Sequence, residues 1–268
     1  MTASAPLSSL KGLTALVTGA SGGLGDTIAR ALHREQMSLV VTGRRRDRLE
    51  SLAADVGAEV VVADLCDRAA VDSRGDRFDG IDRRVANAGV GADVALAEET
   101  AEHIDSVIDV NLRAPMHLAT AFVQRKLLDG RAAHVVTVGS LSALAATPET
   151  RLYNATKFGL RGFTLSLAQD LVGTNVGASI VEPGFVRDAG MFTESGIELP
   201  PGVRTSTPDQ VAKAVITAVT SNRHEVFVAP VEMRLLSKIA TVAPAFSAAV
   251  QRRLGTAAMK QGSSGVAS

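Results

Sequence analysis

A phenol and an ammonium group stand four residues apart in Tyr153-Asn154-Ala155-Thr156-Lys157, and Tyr153 is the only tyrosine in the chain. On a helix that spacing puts both side chains on one face. A phenol can hand a proton to a carbonyl oxygen that is gaining negative charge. In the reverse direction it must act as a base, and with an unperturbed pKa of about 10 it is a reluctant one. A cation at about 4 Å, in an effective dielectric of about 20, favours the phenolate by about 4 kcal/mol, or roughly three pKa units before desolvation opposes it. The same pair could be an ordinary i,i+4 contact on a helix surface. Its meaning depends on what the rest of the chain places around it.

The elements that must position the pair alternate along the chain. Leu13–Thr18 is a nearly continuous apolar run, as expected of a strand covered on both faces. A helix is expected from about Leu24 to Gln36, a strand over Ser38–Gly43, a helix over Asp47–Val56 and a strand over Glu59–Asp64. A short helix with a charged corner is expected within Asp67–Gly80, and a fourth strand ends at Val85-Ala86-Asn87. Thr100–Leu128 carries Ile104, Val107, Ile108 and Leu112 at helical spacing, with Pro115 as a candidate kink. Ala133–Gly139 reads as a strand, Arg151–Val172 as a helix, Gly177–Val181 as a strand, Pro208–Thr220 as a helix and Glu225–Ala229 as a seventh strand. This alternation predicts an α/β fold: a Rossmann-type, doubly wound parallel sheet of about seven strands, with helices on both faces of a single domain.

Between the first strand and first helix lies Thr18-Gly19-Ala20-Ser21-Gly22-Gly23-Leu24-Gly25. Glycines there allow a tight turn and close backbone approach to a pyrophosphate, and the helix N-terminus adds free N–H groups and a positive dipole end. Gly19, Ser21, Gly23, Leu24 and Gly25 are therefore candidate cofactor contacts. The second strand ends Val41-Thr42-Gly43-Arg44, with no carboxylate to accept a ribose 2′-hydroxyl and repel a 2′-phosphate. Arg44 offers a planar, permanently charged partner for phosphate, so NADP(H) is expected ahead of NAD(H), with Arg45 as a second basic group.

The Gly-x-x-x-Gly-x-Gly turn, Asp64-Leu65, Asn87-Ala88-Gly89, Ser140, and Tyr153 with Lys157 occur in that order, and together they resemble the short-chain dehydrogenase/reductase family over roughly residues 10–230. The resemblance implies Asp64 and Leu65 at the adenine, and Ala88 and Gly89 flat against the cofactor with Asn87 tying adjacent strands. It implies a catalytic set of Asn111, Ser140, Tyr153 and Lys157. Tyr153 would be the acid/base, and Lys157 would tune it and hold the nicotinamide ribose. Ser140, thirteen residues before Tyr153, would stabilise the substrate oxyanion, and Asn111 would position a water leading to Lys157. Pro183, Gly184 and Val186 would lie beside the nicotinamide. The activity implied is hydride transfer between NADP(H) and a carbonyl or secondary alcohol. A non-catalytic, NADP-binding regulatory protein on the same fold is the alternative, and the intact Ser140, Tyr153 and Lys157 set argues against it.

Composition is consistent with this. Twenty-eight basic residues balance 28 acidic ones, which implies no nucleic-acid surface. The single cysteine, Cys66, excludes an internal disulfide, the five histidines are scattered, and no metal site is expected. No run reaches the roughly 18 apolar residues of a spanning helix, and a cytoplasmic location is expected. Residues 1–9 read as a flexible leader, 10–230 as the dinucleotide-binding catalytic domain, 231–260 as an amphipathic helical extension and 261–268 as a flexible tail. Residues 188–207, with Met191, Phe192, Ile197, Leu199, Pro200, Pro201 and Val203, read as an apolar lid over a hydrophobic substrate. Val231–Leu254 is broken by Pro244 and has three readings, in order of expectation: a cover for the substrate cleft, an oligomer interface, or a helix on a membrane surface. The family resemblance implies a homodimer or homotetramer through Thr100–Leu128 and Arg151–Val172.

Two features depart from the family pattern. Asp188 stands where the family has a threonine, an awkward acid near a pyrophosphate. Asp82-Arg83-Arg84 replaces apolar residues of the fourth strand, and the expectation is that Arg83 and Arg84 escape burial by reaching out at a sheet edge beside the charged corner.

Overall fold

The computed structural model describes residues 9–72, 78–91, 95–147, 150–188, 204–246 and Ala249. Seven parallel strands form one sheet in the order β3-β2-β1-β4-β5-β6-β7. They are β1 (Thr14–Thr18), β2 (Ser38–Gly43), β3 (Glu59–Val62), β4 (Arg83–Ala86), β5 (Ala133–Val138), β6 (Val176–Pro183) and β7 (Glu225–Val228). Every residue of β4, β5 and β6 is buried, as the near-continuous apolar runs in β5 and β6 predict for strands covered on both faces. The strand order reverses between β1 and β4, so the crevice that ligands use in such sheets opens at the carboxyl ends of those two strands.

Helices α1 (Gly23–Arg34) and α2 (Arg46–Val56) pack on one face with α7 (Pro208–Thr220), through Ile28, Leu32, Leu49, Leu52, Val211 and Val215. The other face carries α3 (Arg68–Asp72), α4 (Ala101–Ile108), α5 (Ala114–Asp129) and α6 (Arg151–Asp170), with Val71, Leu118, Phe122 and Ala168 in its core. The chain enters α7 through a reciprocal capping box between Thr207 and Gln210, and α2 and α5 end on left-handed Gly57 and Gly130. Helix α8 (Val231–Val242) stops just before Pro244.

Two expectations need correction. The stretch from Thr100 to Leu128 is helical throughout after its N-cap Thr100, but it is not a uniform α-helix. A π-helical turn over Asp109–Arg113 joins α4 to α5 with right-handed helical dihedrals on both sides, and Pro115 lies in the first turn of α5, just past the π turn. Nor do Arg83 and Arg84 reach a sheet edge. They lie in β4, between β1 and β5, with Arg83 paired to Ala15 and His134, and Arg84 to Leu16 and Val135. A strand in the middle of a seven-stranded sheet has no edge to offer, and the two side chains are only 2% and 1% exposed. Arg83 donates from Nη1 to the carbonyls of Asp82 (2.7 Å) and Ala132 (3.4 Å). Arg84 has no hydrogen bond to Nε or Nη1 among the described residues, and burial pushes its guanidinium down to about 9.

The leader at 1–8, the lid residues 189–203 and the tail at 261–268 lie outside the described residues.

Candidate active site

Every residue that the sequence assigns to the nucleotide half of the cofactor, from Gly19 to Gly89, lines one cleft of about 390 Å³ above the reversal point of the sheet. Gly19 has φ +69°, and a Cβ there would come within 2.7 Å of the Ala88 Cα. A Cβ on Gly25 would sit 2.2 Å from the Gly19 carbonyl oxygen. The floor of the cleft therefore exists only because both positions are glycine. Asn87 holds the turn from the next strand: its Nδ2 donates to the carbonyls of Thr18 (3.1 Å) and Gly19 (3.4 Å). Thr18 Oγ1 in turn accepts the N–H groups of Asn87 and Ala88. No side chain caps α1, whose N-cap is Gly22, so the first-turn N–H groups remain available to an anion.

At the mouth, Arg45 donates to the Ser21 carbonyl and so braces the turn. Arg44 is exposed, lines the cleft and has no carboxylate partner among the described residues. Asp64 also lines the cleft and accepts the Cys66 N–H at 3.0 Å. The shape, the uncapped helix and the free guanidinium fit a phosphorylated dinucleotide.

The second group of residues lies one and two strands over, beyond the lining of that cleft. Lys157 on α6 is 3% exposed, donates from Nζ to the Val138 carbonyl at 3.0 Å, and has Nζ 5.5 Å from the centroid of the Tyr153 ring. Burial pushes its pKa down to about 8 against the opposing attraction of Glu182. Ser140 follows the last residues of β5, and its Oγ accepts the Ser142 N–H at 3.1 Å. Asn111 sits within the π turn, where the widened helix lets its amide make a two-way pair with the backbone of Val90: Oδ1 accepts the N–H at 2.8 Å and Nδ2 donates to the carbonyl at 2.9 Å. Val90 itself lines the cofactor cleft, so Asn111 links that cleft to the neighbourhood of α6. Pro183 ends β6. The turn after it is clamped by a bridge between Val186 and Ser206, and by the Gly184 N–H donating to Val228. Asp188 is exposed at φ +66° and pairs with Arg187 at 3.3 Å, which answers its charge locally.

Two residues that the sequence reading did not single out hold this arrangement together. Asn154, beside Tyr153, donates from Nδ2 to the carbonyls of Ser142 (2.8 Å) and Ala145 (2.9 Å), lashing the segment after Ser140 to α6. Glu182, the one acid in β6, is fully buried and accepts the Ser140 N–H on Oε2 at 2.6 Å. Burial pushes Glu182 up to about 8. Its approach to Ser140 requires Gly139, where a Cβ would meet Oε2 at 2.6 Å. An acid in an otherwise apolar strand, directly before Pro183-Gly184, was the available signal.

The short chain dehydrogenase family matches residues 13–198. The chain belongs to this family. The dehydrogenase is 32% identical over 231 residues to ketoacyl reductase HetN of a Nostoc species, spanning 83% of this chain and 80% of the relative. It is 35% identical over 186 residues to nodulation protein G of a Rhizobium species, spanning 67% and 76%. Among solved structures, a short chain dehydrogenase/reductase family protein superposes with a TM-score of 0.75 at 30% identity, covering 82% of this chain and 96% of its own. A short-chain dehydrogenase from Sphingobium yanoikuyae in complex with NADPH superposes with a TM-score of 0.73 at 27% identity, covering 91% and 95%. The chain is thus an NAD(P)-dependent dehydrogenase/reductase on a single Rossmann-type domain.

Proposed function

We propose that this dehydrogenase uses NADP(H) to interconvert a hydrophobic ketone or aldehyde and its alcohol. The observation that carries the reading is the buried Lys157 ammonium beside the Tyr153 ring, on the helix next to Ser140. When bound, the cofactor supplies or accepts the hydride at its nicotinamide ring. Tyr153 gives its phenolic proton to the carbonyl oxygen as charge develops there, and Lys157 steadies the phenolate that remains. Ser140 Oγ donates to the same oxygen, while Glu182 and Asn154 keep the backbone around Ser140 in place. Asn111, tied to Val90, positions a water through which Lys157 exchanges protons with solvent. Asp64 and Leu65 hold the adenine, the α1 N-terminus holds the pyrophosphate, and Pro183, Gly184 and Val186 flank the nicotinamide.

Preference for NADP(H) rests on Arg44. The end of β2 offers no carboxylate to a ribose 2′-hydroxyl, and the Arg44 guanidinium is free to take a 2′-phosphate bidentately. NADPH and NADP complexes among the solved relatives support the same choice. Arg44→Ala is expected to raise KM for NADPH at least tenfold while leaving KM for NADH within about twofold, because a charged hydrogen bond contributes about 1.5–3 kcal/mol and only one cofactor makes it. Steady-state kinetics with both cofactors and an aliphatic ketone measures this. An unchanged NADPH/NADH ratio removes Arg44 from the site. Self-association is expected through the face of α4 to α6 that exposes Ile108 and Phe158.

A further inference from the structure

Helix α8 is built inside out. Its small residues Ser237 and Ala240 are buried, while Val231, Leu235, Leu236 and Val242 are 72%, 58%, 62% and 87% exposed. Val231, Leu235, Ile239 and Val242 recur at helical spacing, so they form one outward stripe rather than scattered apolar residues. Phe246, just past the helix, is 62% exposed as well. A stripe of large side chains facing water is unfavourable unless something covers it.

The charge around the stripe says what that is. Arg234 and Lys238, one turn apart, flank it, with their cationic groups 5.6 and 5.9 Å from the Phe227 ring centroid. The one acid on the helix, Glu232, is held by both nitrogens of the Arg204 fork, at 2.8 and 2.7 Å, and so presents no free negative charge. From Met233 to Ser268 the sequence has no Asp or Glu, and Arg234, Lys238, Arg252, Arg253 and Lys260 give this stretch five positive charges in a chain whose total is balanced. An apolar stripe bordered by cations, followed by a basic tail, is the arrangement that lies in the plane of a lipid surface with anionic headgroups. No helix among the described residues is long and apolar enough to cross a membrane, so contact would be with the surface alone.

The reading of α8 as a cover for the substrate cleft does not account for this outward face. The helix does border the site from its inner side: Thr241 Oγ1 donates to the Leu144 carbonyl at 3.0 Å, and Met233 lies against Gly184. We infer that α8 is a peripheral membrane anchor that docks the dehydrogenase on anionic lipid, with Val231, Leu235, Leu236, Ile239 and Val242 in the acyl boundary and Arg234 and Lys238 at the headgroups.

Co-sedimentation of the full chain with vesicles tests this. Vesicles of phosphatidylcholine and phosphatidylglycerol in equal parts are expected to bring down the wild type, with binding at least tenfold weaker to pure phosphatidylcholine and weakened by added salt. Leu235→Glu with Leu236→Glu is expected to abolish binding while melting temperature and NADPH affinity stay those of the wild type, since both side chains already face water. Arg234→Gln with Lys238→Gln is expected to weaken binding several-fold and reduce its salt dependence. A wild type that stays in the supernatant with anionic vesicles overturns the inference, as does equal binding to neutral vesicles. Failure to bind lipid together with a smaller oligomer for the Leu235→Glu, Leu236→Glu variant, by light scattering, would reassign the stripe to a second copy of this chain.

Discussion

Tyr153→Phe is expected to lower kcat by about three orders of magnitude while leaving NADPH affinity within about twofold. The change deletes one oxygen and keeps the ring, so the contact between the ring and Lys157 Nζ at 5.5 Å survives. On the proposed mechanism, what is lost is the proton that reaches the substrate oxygen as the carbonyl is reduced, and positioned general-acid catalysis contributes about 10²- to 10⁴-fold. There is no second tyrosine anywhere in the chain to substitute for it. The cofactor cleft is lined by the glycine turn, Asn87 and the β2 end, and Tyr153 is not among its lining residues. Ketone-dependent NADPH oxidation and a separate fluorescence titration of NADPH measure the two effects. A variant that turns over at the wild-type rate would remove Tyr153 from the chemistry, and one that binds no NADPH would show a structural role instead.

Arg84→Met is expected to stabilise the protein. Arg84 sits in β4 between Leu16 and Val135, fully buried, with Nε and Nη1 lacking acceptors and no ion-pair partner within 4.0 Å among the described residues. Burying a charge without compensation is costly, and replacing buried ionic groups by apolar residues of similar volume ranges from neutral to stabilising by about 1–4 kcal/mol. For a chain of this size each kcal/mol moves Tm by about 2–4 °C, so a rise of several degrees is expected. The folded-state pKa lies below the ordinary arginine value, at about 9. The penalty is therefore fully present at neutral pH, where both folded and unfolded states are charged, and it fades as pH rises above about 9. The stability gap between variant and wild type should narrow in that alkaline range. Calorimetry at neutral and alkaline pH checks both statements, and a variant that melts several degrees lower would mean that the guanidinium is satisfied in solution.

The parallel sheet of about seven strands and the cofactor cleft were legible because they rest on local rules. Apolar runs without alternation announce strands buried on both faces, and a glycine cluster between strand and helix has few other uses. Arg83 and Arg84 misled for a physical reason: the cost of a buried cation argues for the edge, but strand order is set by the crossovers around β4, and two charged residues do not outweigh the packing of seven strands. The π turn at Asp109–Arg113 was equally hidden, because its apolar spacing matches an α-helix and only its wider backbone hydrogen bonding distinguishes it. Glu182 and Asn154 could not be placed from the chain alone, since their partners, Ser140 and the segment 142–145, are brought near by tertiary packing, not by sequence spacing. The inverted face of α8 shows the same limit, as amphipathic spacing says that a stripe exists but not which way it points.

Isotope transfer addresses the chemistry most directly. NADPH carrying deuterium on one or the other face of nicotinamide C4 would be incubated with the chain and a hydrophobic ketone, and the alcohol analysed by mass spectrometry and NMR. The expected result is one deuterium on the carbinol carbon from only one of the two labelled forms, at a rate that Tyr153→Phe suppresses. An alcohol without label, label delivered equally from both faces, or bound NADPH with no turnover across a broad carbonyl panel would contradict it.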